Sequence, residues 1–147
     1  MHPSNIRLSF VALTFGFSLV LASAPALAAV VTFRADMKGS NEIPPTSSNG
    51  TGTLLATFDN ANMELRWEGS YAGLSSKVIA IHFRGPAAPN ENANIEFQIT
   101  SRQPRFAGSA RLNERQAANL IAGRWYININ TEDYPRGEIR GQVVKGK

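Results

Sequence analysis

A chain of 147 residues with 43% hydrophobic and 18% charged residues has room for one domain and too much apolar content to stay disordered. It has no cysteine, which excludes disulfide scaffolds, thiolate-held zinc, iron–sulfur clusters and cysteine nucleophiles. The net charge of +4 is mild for a nucleic-acid binder.

The first residues read as an address. Arg7 makes a short basic region, Leu8 to Ala22 an apolar run, and Ala26-Leu27-Ala28 the small residues a signal peptidase inspects. A membrane anchor is the other reading, but Ser9, Thr14, Gly16 and Ser18 dilute the run and Pro25 breaks it. We therefore expect a cleaved signal peptide over residues 1–28, export to the periplasm or beyond, and a domain over 29–147 with no membrane span. Removing Arg7 lowers the net charge by one. His2 leaves as well, so His82 is the domain's one histidine, which excludes two-histidine zincins and three-histidine metal sites within one chain.

Val30 to Met37 is rich in β-formers, and Lys38 to Gly52 is rich in turn residues. Leu54, Ala56 and Phe58, the turn residues Asp59 to Asn62, and the strictly alternating run from Met63 to Tyr71 predict a hairpin. The same period puts Ile79, Ile81 and Phe83 on one strand face, with Val78, Ala80, His82 and Arg84 on the other. It recurs at Ile95, Phe97 and Ile99, and at Trp125, Ile127 and Ile129. In the last run Ile139, Gly141 and Val143 point inward and Glu138, Arg140 and Gln142 outward. A short helix interrupts near 113–122: Asn113 caps it, Glu114 suits its first turn, Leu120 and Ile121 face inward, and Gly123 stops it. These spacings predict an all-β fold, an antiparallel Greek-key-like β-sandwich with one short helix.

Glu42-Ile43-Pro44-Pro45, Ile81-His82-Phe83-Arg84-Gly85-Pro86-Ala87, Trp125 to Thr131 and Tyr134-Pro135-Arg136-Gly137-Glu138-Ile139-Arg140-Gly141-Gln142 occur in that order. Together they resemble the CHRD domain, a module named for chordin and found also in exported bacterial proteins. The resemblance spans about Thr32 to Val143. It implies an all-β module of poorly defined biochemical activity. Two positions depart from the family's pattern. Arg84 stands where a second histidine is usual, and Asn130-Thr131 where His-Thr is common.

The residues themselves offer few chemistries. His82, helped by Asn130 and a carboxylate, suits a metal ligand or proton carrier; otherwise it is a strand histidine hydrogen-bonded to its neighbour. Glu138 and Arg140 suit a carboxylate or an anionic sugar through the arginine fork, or else an ion-pair ladder with Glu64, Arg66 and Glu68. Arg102, Arg105, Arg111 and Arg115 around Phe106 suit a solvated basic loop better than a nucleic-acid site. There is no Gly-x-Ser-x-Gly, Ser-x-x-Lys or His-Glu-x-x-His motif, and Gly50-Thr51-Gly52 opens a strand rather than a phosphate-binding helix.

The expectation is an exported binding or structural module, not an enzyme, without cofactor, contacting a protein or polysaccharide and no nucleic acid. Its candidate site residues are Glu42, Pro44, Pro45, His82, Arg84, Asn130, Glu138 and Arg140. The alternative is a periplasmic copper or zinc protein using His82. Such a protein would be similar to superoxide dismutases in carrying histidine on a sandwich strand.

Overall fold

The computed structural model describes residues 29–146, so the leader expected over residues 1–28 lies outside it. In chain order come β1 (Val30–Lys38), a 3-10 turn (Gly39–Asn41), β2 (Thr51–Asp59), β3 (Glu64–Ala72), β4 (Val78–Arg84) and β5 (Ile95–Ile99). They are followed by β6 (Arg105–Arg111), α1 (Glu114–Ile121), β7 (Trp125–Thr131) and β8 (Ile139–Lys145). All pairings are antiparallel, in the order β5-β4-β7-β8-β1-β2-β3-β6.

This is one continuous sheet, and it curls. Trp67 of β3 lies near the far end of that order from β4 and β5. Its ring nonetheless sits 5.4 Å from the rings of both Phe83 and Phe97. The two halves thus oppose their apolar faces like the layers of a sandwich, in a near-barrel, and the all-β antiparallel expectation holds. The core between them includes Phe33, Met37, Leu54, Phe58, Leu65, Ile81, Trp125, Ile127, Ile129 and Val143. Each large apolar side chain buried here contributes on the order of 1.5–3 kcal/mol.

The predicted hairpin is β2–β3, and the predicted helix is α1. Asn113 accepts from the Gln116 backbone N–H while the Gln116 side chain accepts from the Asn113 N–H, so two free donors of the first turn are satisfied. Gly123, at φ +71°, ends the helix.

Three expected side-chain directions fail, each for a local reason. A register shift between Val78 and Ala80 sends Val78 into the core and leaves Ile79 half-buried. A second irregularity after Phe83 sets Ile95 opposite Arg84, where it is largely exposed. In α1 the inward residues are Ala117 and Leu120, three apart, while Ile121 turns outward. The expected ion-pair ladder fails as well: Arg140 keeps its outward parity but is, like Glu138, fully buried, and neither pairs with Glu64, Arg66 and Glu68. Those three belong to β3, which β1 and β2 separate from β8.

Candidate functional site

The outward face of β4, β7 and β8 is built by cross-strand neighbours. His82 stands opposite Asn128, Arg84 opposite Tyr126, and Asn128 opposite Arg140. A polar outer face of this kind normally meets water. Here three loops lie over it, and Glu42, His82, Asn128, Asn130 and Arg140 are all buried.

Each loop is tied down by hydrogen bonds from that face. Asn128 Nδ2 donates to Arg136 O at 3.3 Å and Asn130 Nδ2 to Pro135 O at 2.8 Å, which pins the β7–β8 turn. Arg84 donates through Nε to Asn128 Oδ1 and through Nη1 to Ala93 O, each at 3.2 Å. Arg140 donates to Asn92 Oδ1 at 3.2 Å and to the carbonyls of Ala88 and Glu91 at 3.2 and 2.8 Å, which holds the β4–β5 loop. Its guanidinium also stacks 3.5 Å from the centre of the Tyr126 ring. From the β1–β2 loop, Asn41 donates to Arg140 O and Thr46 to Glu138 O, while Asn92 reaches across to Ile43 O.

Between these loops opens a cleft of about 780 Å³. Glu42, Pro44, Pro45 and Ser47 line one wall, Tyr134, Pro135 and Arg136 another, with Arg84, Tyr126 and Asn128 between them. Ser47 Oγ and Tyr134 Oη meet at 3.3 Å across it.

Glu42 is the chemically unusual group. The residue is 6% exposed, and its Oε1 has no hydrogen-bond partner. Burial pushes its pKa up to about 7, against the opposing pull of Arg140, the Asn128 amide and Arg84. Gly137 closes over it at φ +137°, where a Cβ would collide with Glu42 Oε1.

The candidate residues thus fall into three groups. Glu42, Pro44, Pro45 and Arg84 line the cleft, with Arg140 behind Tyr126. His82 and Asn130 lie on the same face, bonded to each other through Nδ1 and Oδ1 at 3.3 Å. Burial, then Arg84, lowers the His82 pKa, and the Asn130 contact opposes them. Glu138 stands apart. It precedes the first residue of β8, so the strand period does not govern it. Its carboxylate accepts from Ser48 Oγ, Ser75 N, Ser75 Oγ and Thr131 Oγ1 at 2.6–2.9 Å. Burial raises its pKa, but these hydrogen bonds outweigh it and hold the group below the usual carboxylate range. Among the described residues, no three His, Cys, Asp or Glu side chains gather as a metal site.

Sequence reasoning missed Tyr126, Asn128, Asn92 and Arg136. One signal was present: Tyr126, Asn128 and Asn130 share a parity with each other and alternate with large apolar residues, opposite the polar parity of β4 and β8.

Fold and site together define an all-β module with a loop-walled polar cleft. No helix among the described residues is long and apolar enough to cross a membrane. The CHRD domain family description matches residues 33–143, so the chain belongs to the CHRD domain family. Chordin of Danio rerio is 28% identical over 99 residues, which span 65% of this chain and 10% of chordin. No solved structure matches.

Proposed function

We propose that this protein is a non-catalytic binding module, exported after cleavage at Ala28, whose cleft receives a protein or polysaccharide partner. The observation that carries the reading is the convergence of three separate loops on one polar cleft, two of them held by buried side chains of one sheet face and the third bonded to the backbone at β8. A preformed, rigidly held cleft lowers the ordering cost of binding. Membership of the CHRD family, with its match to chordin, agrees with a binding role.

The test is an array of soluble glycans and peptides probed with the purified protein and with Arg136→Ala and Tyr134→Ala, both at the cleft rim. We expect a bound class that both variants lose and that Arg66→Ala, on the exposed face of β3, retains. Binding lost in Arg66→Ala but normal in the rim variants would move the site elsewhere.

A further inference from the structure

Resting on the cleft as the binding site, we propose that its ligand is an anionic polysaccharide. A carboxylate-bearing sugar would sit against the Arg84 guanidinium, with its ring on the proline walls of the cleft.

The charge balance comes first. Arg84 lines the cleft and Arg140 is buried behind it, and among the described residues neither lies within salt-bridge distance of a carboxylate. Arg84 spends Nε and Nη1 on Asn128 and Ala93, which leaves Nη2 for a ligand. Partly desolvated guanidinium groups favour an anion, and the planar fork suits a carboxylate.

The second observation is the Glu42 carboxyl, which lines the cleft near Arg84 with its buried Oε1 unpartnered, so no hydrogen bond to Oε1 offsets the charge it carries when ionised. The third is the character of the walls. The exposed rings of Pro44, Pro45 and Pro135 offer flat apolar surface beside the hydroxyls of Thr46 and Ser47 and the amides of Asn92 and Asn128. A pyranose ring presents the same mixture of apolar face and polar edge. An extended peptide would seek a free strand edge. Arg84, Tyr126 and Asn128, however, come from strands already paired on both sides.

Glu42 makes this binding sensitive to pH. The charged and titratable groups around it are Arg84 from β4, Tyr126 from β7, Arg140 from β8, and Asp133, Tyr134 and Arg136 from the β7–β8 turn. His82, further along the face, has its pKa lowered by burial and then by Arg84. Because the Glu42 carboxyl titrates at about 7, the site gains one positive unit as pH falls through neutrality. An anionic sugar should then bind roughly tenfold tighter at about pH 6 than at about pH 8.5.

Titration calorimetry of hexagalacturonate, maltohexaose and hexaglutamate across that range tests the inference. We expect hexagalacturonate alone to bind, and to tighten on acidification. Glu42→Gln, an uncharged isostere, should hold the low-pH affinity throughout. Arg84→Gln should weaken binding about tenfold or more, with circular dichroism checking that it folds. Maltohexaose binding as tightly, or hexagalacturonate affinity independent of pH, would overturn the inference and leave the cleft as a binding site. Equal binding of hexaglutamate would overturn it in favour of an acidic protein. If none of the three binds while the array yields another cleft-dependent ligand, only this inference falls. An array without any cleft-dependent ligand removes the reading beneath it.

Discussion

At Gly137 the chain adopts φ +137° directly over the Glu42 carboxyl, and a Cβ there would also come within 2.7 Å of Asn128 Nδ2. Gly137→Ala should therefore cost about 1–3 kcal/mol, through backbone strain and collision together, as measured by denaturant unfolding. An unchanged midpoint would show that the turn relaxes freely. Glu42 itself bears on stability. Its folded pKa of about 7 lies above the ordinary 4.5, so the folded state holds the proton more tightly than the unfolded chain does. Its contribution is present below the unfolded value and is lost as pH rises toward 7, a total of roughly 3 kcal/mol. Glu42→Gln should flatten that decline between about pH 4.5 and 7.5 in a series of unfolding curves. A slope equal to the parent's would place the titration on another group. Glu138 works in the opposite sense: its folded pKa is lowered, so its contribution is lost in acid.

At the scale of elements, β3 and α1 show how local pattern meets packing. The Trp67 indole spans the interior between the two halves of the curled sheet, against Phe83 and Phe97. Trp67→Ala should cost about 3–5 kcal/mol in unfolding experiments, and less than about 1 kcal/mol would mean the halves do not close there. In α1 the capping box is local and partly exposed, so Asn113→Ala should cost only about 1 kcal/mol. A loss of several kcal/mol would make the cap a tertiary anchor instead. The bulges are harder to read. Nothing in Val78-Ile79-Ala80 announces an extra residue, because all three are apolar and either parity satisfies the pattern.

Over the whole molecule, the consequential feature is the covering of an outer sheet face. The long β1–β2 and β4–β5 loops and the β7–β8 turn fold back on the same three strands. The polar side chains beneath become a second, hydrogen-bonded interior behind the sheet, while the apolar core fills its other side. The inward assignments of Trp125, Ile127, Ile129, Ile139 and Val143 were legible from period alone, as was the outward parity of Arg84, Asn130 and Arg140. Their burial was not legible, because alternation separates two faces without saying what lies on either. Glu42 stood out only as part of a loop segment, and its raised pKa depends on loops and strands far away in the chain.

By itself, then, the sequence determined an antiparallel all-β domain, its hairpin, its capped helix and its family, since these follow from short-range period, turn chemistry and motif order. Only the tertiary structure decided that the sheet curls until Trp67 meets Phe97, that Glu138 and Arg140 part company, and that Glu42, Arg84 and Asn128 meet in one cleft. The physical reason is range. Strand and turn preferences act over a few residues. Desolvation and hydrogen bonding of a buried polar group depend on whatever distant segment comes to cover it.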